Sequence, residues 1–390
     1  MHILYLTMNP NLGASARTLQ DWLLFARESG IRATVCLRAQ GPFSQWLAEN
    51  AIPFRIVSMP WIGAKAAVSW IASAVNTAAW KPWCRPSVIH CYEHDLWPFA
   101  WPLAKALSIP AVCHFHFSVS RDLANWMFSS RWRKPGHAIW TSSQQRTDST
   151  TAVEGLLPQS GQSVVPLGIN LDRFGKRAGE GTALRRRLAF DADDVVVGCA
   201  CALRERKRVD DFLDVVERLS SRYPNVRGLL AGGVIADEQA YGDRVVARIR
   251  QLESIGRLQW LGNVHDIEPI LHASDIQVST SGYETFGMSV CEAMACARPV
   301  AAYRGGSVAE VLGDAGMVVE TGDLDGLTAS VERLIVAPHL RQSLGRAARQ
   351  RVAEHFNPRQ SFEQLVGIYE SLLKPQPARG RVGKPVLQST

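Results

Sequence analysis

Apolar residues are distributed along this chain in short unbroken runs rather than in long amphipathic stripes. In the first part these are "HILYL", "ATVCL", "FRIVSM", "SVIHCY", "AVCHFHF", "HAIWTS" and "SVVPLG". Segments of helical length separate most of them. Near residue 195 the pattern restarts with "VVVGCACAL", followed by "VRGLLAGG", "RLQWLGN", "DIQVSTS", "RPVAAYRG" and "GMVVE". A strand covered on both faces reads as a continuous apolar run, and strands that alternate with helices build parallel sheets. Two such series predict an α/β architecture of two Rossmann-like domains. The expected division is a first domain over 1–168, a linker over 169–181, a second domain over 182–358, a terminal helix over 359–374 and a disordered Pro/Gly/Arg-rich tail over 375–390. The terminal helix carries Phe362, Leu365, Val366 and Tyr369 on one stripe, which suits packing back onto the first domain.

The most apolar long window, "WIGAKAAVSWIASAVNTAAW" (61–80), contains Lys65, Asn76 and several serines. Its stripe Ala64, Val68, Ile71, Val75 and Ala78 predicts a core-facing amphipathic helix, not a membrane span. The opening "MHILYLT" has no basic segment ahead of its apolar residues and reads as a first strand rather than a leader, so a cytoplasmic protein is expected. The 390 residues are long enough for two domains. Eight scattered cysteines with no CxxC pair point to free buried thiols.

Charge changes the picture in one respect. Residues 1–174 hold 15 Lys/Arg against 9 Asp/Glu, whereas the rest holds 28 against 27, and eleven of the twelve tryptophans lie before residue 141. A basic, Trp-rich half suits peripheral contact with an anionic membrane, at the inner face for a cytoplasmic protein, or with a lipid-linked acceptor. No long Lys/Arg run is present, so nucleic acid is not expected as a partner.

Ligands of open α/β sheets sit outside the carboxyl ends of the strands. "GYETFGMS" follows the strand "DIQVSTS" and opens an apolar helix. Gly282 and Gly287 allow close backbone approach, and the N–H groups near Thr285, Phe286 and Gly287 are expected to be unpaired donors suited to phosphate. Glu284 and Glu292 flank this helix start, and eight helical residues would separate them by roughly 12 Å. That exceeds the roughly 5 Å of a retaining glycosidase pair. It suits a ligand with hydroxyls at both ends and a diphosphate between, as in a nucleotide sugar. In "CALRERKRVDDFLDVV" Lys207 lies at another strand end, where its charge can meet the diphosphate. Gly13 stands in the loop after the first strand, and His114 and His116 lie two apart in "AVCHFHF". His90 and His94 in "IHCYEHD" are further candidates for the same cleft. "DAD" at 191–193 precedes a strand and "DLD" at 323–325 precedes a helix, so neither offers a strand-end metal site, and no metal is expected.

"YETFGMSVCEAMACARPVAA" followed by "GGSVAEVL" resembles the donor-binding signature of the family 4 retaining glycosyltransferases, which have the GT-B fold. "SVVPLGINLDRF" and "HDIEPILHASDIQVSTS" are similar to that family's segments around it. The resemblance implies transfer of a sugar from a UDP- or GDP-linked donor to a glycan or lipid-linked acceptor hydroxyl, with retention, no cofactor and no metal. It gives Glu284 to the sugar hydroxyls, Glu292 to the ribose and Lys207 to the diphosphate. Thr285, Phe286, Gly287 and Met288 then belong to the donor loop, Gly13 to a glycine loop that approaches the donor phosphate or the acceptor, and His116, with His114 as fallback, to the region of the transferred sugar. An arginine common five residues before the lysine is replaced by Ala202, leaving Arg204 or Arg206 to substitute. A glycine common before Pro-Val is Ala297 here. The function expected is synthesis of bacterial envelope glycan, glycolipid or exopolysaccharide. The alternatives are a non-hydrolysing nucleotide-sugar epimerase of the same architecture and a non-catalytic sugar-nucleotide-binding protein.

Overall fold

A computed structural model describes residues 1–59, 85–175 and 177–374. The helix expected over 61–80 and the tail expected over 375–390 lie outside the described residues. Every apolar run named above holds a strand. β1 (His2–Thr7), β2 (Arg32–Leu37), β3 (Phe54–Ile56), β4 (Val88–Cys91), β5 (Ala111–Phe115), β6 (His137–Trp140) and β7 (Gln162–Val164) form a seven-stranded sheet of order β3-β2-β1-β4-β5-β6-β7. β8 (Val195–Ala200), β9 (Val226–Ala231), β10 (Leu258–Trp260), β11 (Ile276–Ser279), β12 (Val300–Tyr303) and β13 (Met317–Val319) form a six-stranded sheet of order β10-β9-β8-β11-β12-β13. The strand pairings in both sheets are parallel.

β1 is buried along its whole length, as a strand with helices on both faces must be. In each sheet the order reverses beside the first strand of the series: β1 lies between β2 and β4, and β8 between β9 and β11. Such reversals open a crevice at the carboxyl ends of the strands. The loops after β1, β8 and β11, which carry the candidate residues, all leave from those ends.

Between the sheets a helix runs from Ala178 to Arg187, so the stretch read as a linker over 169–181 contains the start of a helix. The last helix, Pro358–Leu373, packs on the helix Ala14–Glu28 of the first domain. Phe25 and Phe362 meet at 6.3 Å between ring centroids, and Arg359 pairs with Glu28 at 2.6 Å. Tyr369, fully buried, bonds to His90. One apolar cluster runs from Trp22 and Tyr369 through Leu167 and Ile169 to Phe286, Val290 and Phe356. The two domains thus share core as well as a covalent join. Among the described residues no helix is long and apolar enough to cross a membrane.

Candidate functional site

Two hydrogen bonds tie the loop after β11 to the loop after β8. Thr280 donates through Oγ1 to the Lys207 carbonyl at 2.7 Å, and the Gly282 N–H donates to the Arg206 carbonyl at 2.8 Å. They bring Lys207 against Glu284, and the two form an ion pair with each side chain only 12% exposed. Arg206 stands 3.7 Å from the second Glu284 oxygen and donates to the Tyr283 carbonyl at 3.1 Å. Arg204, a sequence candidate for donor binding, is turned to Glu238 at 3.3 Å. Of the two arginines available to replace the one absent at position 202, Arg206 is therefore the one beside Glu284. Arg204 stands ahead of the 3-10 turn Glu205–Lys207, whereas Arg206 and Lys207 lie within it and both reach Glu284.

Gly287 adopts φ +93°, a left-handed conformation that glycine reaches without strain, and the helix Met288–Ala295 begins only after it. The first-turn N–H groups are consequently those of Met288, Ser289 and Val290, a correction to the reading that placed them at Thr285, Phe286 and Gly287. Thr285 and Phe286 do other work. Phe286 is buried edge-on against Phe356, with centroids 5.4 Å apart. Thr285 donates through Oγ1 to the His116 carbonyl at 2.7 Å. Its own carbonyl receives the hydroxyls of Thr141 at 3.2 Å, Ser142 at 3.0 Å and Ser307 at 2.7 Å. Beside them Glu310 accepts the N–H groups of Ser143 at 2.9 Å and Gln144 at 2.8 Å, so this edge of the domain interface is a continuous polar seam.

Glu292 sits on the second turn of the helix and is 5% exposed, which excludes a merely solvated carboxylate. Across the interface Arg17 pairs with it at 3.3 Å and donates through Nη2 to the His265 carbonyl at 3.0 Å. Burial pushes the Glu292 carboxyl above its ordinary range, against the opposing pull of Arg17 and Arg173. A cleft of about 540 Å³ lies between the domains here, lined by Gly13, Arg17, Arg173, Asn263, Ser289 and Glu292 among others. Met288 lines a smaller recess that shares Arg17, Arg173 and Glu292 with it. Lys207 and Glu284 are not among the lining residues of the cleft. Cys201 is, and both their charges act on its thiol. Gly13 caps the Ala14–Glu28 helix at an ordinary φ of −71°, and a Cβ there would approach only Asn9 Nδ2, at 3.5 Å. Neither backbone nor packing demands glycine, so the free space belongs to the cleft.

The histidines divide clearly. His90 and His114 are fully buried and joined at 3.2 Å, and His114 stacks on Trp22 at 6.0 Å. His94 is 1% exposed and stacks on Phe115 at 5.2 Å. These three belong to the core, which removes the fallback His114 and the cleft candidates His90 and His94. His116 is 6% exposed, beyond the end of β5 at the polar seam. Its Nε2 has no hydrogen-bond partner. Burial, and then the charge of His94, pulls its pKa down to about 3, so the ring is neutral at ordinary pH.

Two residues escaped sequence reasoning. Arg17 meets Glu292 over 275 positions, and no local pattern signals that. Glu93 is 6% exposed and holds the loop after β1 by accepting from Thr7 Oγ1 at 2.8 Å and the Met8 N–H at 3.1 Å. Its carboxyl is pushed up to about 7 by burial. Among the described residues no group of three or more His, Cys, Asp or Glu could hold a metal ion.

Residues 181–351 match the family model described as "Glycosyl transferases group 1". The described residues have the fold of GT-B glycosyltransferases. The Anabaena protein Alr3699/HepE, solved with UDP-glucose, superposes with a TM-score of 0.81 at 22% identity, covering 95% of this chain and all of that one. A glycosyltransferase from Rickettsia africae superposes with a TM-score of 0.82 at 18% identity, covering 96% and 99%. In sequence, a D-inositol 3-phosphate glycosyltransferase of Saccharomonospora viridis is 30% identical over 55% of this chain, which spans only 51% of that relative. The putative glycosyltransferase EpsD of Bacillus subtilis is 24% identical over 73% of this chain and 79% of its own length. The match to the group 1 family model is thus confined to residues 181–351, within a chain whose fold is that of the GT-B structures.

Proposed function

We propose that this chain is a retaining glycosyltransferase of the family 4 type, moving a sugar from a nucleoside diphosphate to an acceptor hydroxyl without a metal. The observation that carries the reading is the pair of low-exposure carboxylates on either side of one helix start, each already held by a cation. In this reading the second domain holds the donor and the first presents the acceptor. Glu292 takes the ribose hydroxyls, and the N–H groups of Met288, Ser289 and Val290 take the diphosphate with the helix dipole behind them. Lys207 neutralises the leaving group, with Arg206 beside it. Glu284 accepts from the sugar hydroxyls, and His116, neutral and with a free ring nitrogen, lies toward the transferred sugar. No carboxylate is assigned as a nucleophile, which favours displacement on the face from which the diphosphate leaves. Closure of the cleft would exclude water from the donor.

UDP is the first nucleotide to test, because the HepE neighbour was solved with it. An envelope glycan is the favoured acceptor. One relative is a lipopolysaccharide core mannosyltransferase, 29% identical over 46% of this chain. Trp132, 57% exposed with Arg131 and Lys105 over its ring, adds peripheral contact with an anionic membrane to this reading, whereas Trp22, Trp97 and Trp140 are core residues.

The test is incubation of the purified chain with UDP- and GDP-sugars, in EDTA, with and without a panel of acceptors. Release of nucleoside diphosphate together with an α-linked product from an α-linked donor is the expected result. A rearranged nucleotide sugar formed with no acceptor would replace this reading by the epimerase. Tight nucleotide binding without turnover on any acceptor would leave a binding protein.

A further inference from the structure

We infer that Arg17 is a donor-binding residue of the first domain, one that leaves Glu292 when the nucleotide arrives and closes on its diphosphate. The inference rests on the donor-site reading above. It starts from an imbalance. Glu292 is the carboxylate assigned to the ribose, yet it is already paired with Arg17. A guanidinium has five N–H donors. Arg17 uses one on Glu292 Oε1 and one on the His265 carbonyl, and its side chain remains 16% exposed at the cleft. The remaining donors face a cavity that also collects Gly13 and Ser289, residues of the two helix starts that meet there.

The competition has a direction. Ribose hydroxyls can satisfy Glu292, and a diphosphate offers Arg17 more charge and a geometry that suits two parallel hydrogen bonds. Lys207 and Arg206 stand at the Glu284 end and Arg204 pairs with Glu238, and none of the three lines the cleft in which Arg17 and Glu292 meet. Arg173 is drawn toward Asp266 at 3.9 Å. Glu292 lies one helical turn, about 5.4 Å, beyond the first-turn N–H groups of its helix. Side chains lean toward the N-terminus of their own helix. Rotation of Arg17 about its side-chain torsions then carries the guanidinium from the carboxylate to the anion without moving the backbone. Arg17 thereby brings a cation of the first domain to the anion held by the second.

The experiment compares a nucleoside with its 5′-diphosphate. Wild type is first titrated with UDP, GDP and ADP, and the diphosphate that binds is then paired with its own nucleoside. The ratio of the two dissociation constants measures what the diphosphate adds. Arg17→Ala should collapse that ratio by about tenfold or more while leaving nucleoside affinity equal or tighter, since its competitor for Glu292 is gone. Arg17→Lys, which keeps a point charge but not the fork, should restore part of the ratio, and the unfolding temperature of both variants checks the fold. Equal weakening of both ligands would mean that Arg17 only orients Glu292, and that overturns the inference. An unchanged ratio with unchanged affinities overturns it as well. If wild type binds none of the three diphosphates, the donor-site reading itself falls and takes this inference with it.

Discussion

Glu292→Gln separates a functional carboxylate from a structural one, because the two roles predict opposite pairs of outcomes. Glutamine keeps the shape of a side chain that is only 7% exposed. It removes a charge that the fold holds at a cost, since burial raises this carboxyl, and it also removes the anionic partner of Arg17. Arg17 keeps its bond to the His265 carbonyl and some contact with solvent, so losing the pair should cost no more than about 1 kcal/mol. Relief of the buried charge offsets part of that. The empty variant should therefore melt within roughly 2–4 °C of wild type.

Binding should respond far more. Replacing a charged acceptor of the ribose diol by a neutral amide should lose about 1.5–3 kcal/mol, or roughly 10–150-fold. At a nucleotide concentration a hundred times the wild-type dissociation constant, wild type gains about 2.7 kcal/mol. A variant bound a hundredfold more weakly gains only about 0.4 kcal/mol at that concentration. Thermal unfolding with UDP, GDP, ADP and dTDP reads both numbers. A variant that loses more than about 3 kcal/mol when empty and still binds nucleotide normally would refute the ribose assignment.

The same carboxyl sets a pH signature. With its pKa raised in the folded state, Glu292 protonates before an ordinary glutamate would as pH falls, so nucleoside affinity should drop above pH 4.5 in wild type and stay flat in the variant. For the empty protein the sign reverses. The folded state binds the extra proton, so stability is lost as pH rises through that window.

Four further changes test separate parts of the site and fold. Lys207→Met should lower donor turnover by about 10²–10³-fold with a smaller effect on nucleotide binding; unchanged kcat would remove Lys207 from the leaving-group role. Gly13→Ala should melt as wild type does, since its methyl meets only Asn9, yet lose about tenfold or more in kcat/KM for the donor; full activity would show that no ligand comes close to this loop. Ala297→Gly should raise stability by about 0.5–1 kcal/mol in thermal unfolding, because Ala297 is held at φ 54° where an L side chain is strained. Glu93, at about 7 when folded, should make stability decline as pH rises from 4.5 through 7, and Glu93→Gln should abolish that slope in unfolding scans across pH.

The architecture was legible because a strand buried on both faces cannot hide its composition: β1, β8 and β9 are apolar runs in any reading. The helix start after β11 was placed three residues early because "YETF" carries no breaker, and the break comes from the left-handed Gly287 that follows. Phe286 read as a loop residue because its aromatic partner Phe356 is 70 positions away. Among "RERK" the three cations are equivalent on paper, and only a 3-10 turn, too short to leave a periodic signal, sorts Arg204 from Arg206 and Lys207. His114 and His116 likewise differ only in where β5 stops, at Phe115. Arg17 lies in a helix whose own pattern, "ASARTLQDWLLFARE", gives it no distinction from a surface arginine.

The two carboxylates are neutralised from different sides, and that difference bears on how the cleft works. Glu284 is held by Lys207 of its own domain, between loops tied by the Thr280 and Gly282 bonds, so this pair lies wholly within the second domain. Glu292 is held by Arg17 of the other domain, and separation of the domains breaks that pair. Opening therefore exposes an unpaired carboxylate and an unpaired guanidinium in the same cleft, while the Glu284 end stays balanced. A nucleotide that brings hydroxyls to the one and phosphate to the other repairs both defects at once. A nucleoside repairs only the first, and inorganic phosphate only the second. If the proposed donor site holds, a whole nucleoside diphosphate should bind more tightly than either fragment, because the two cations come from different domains.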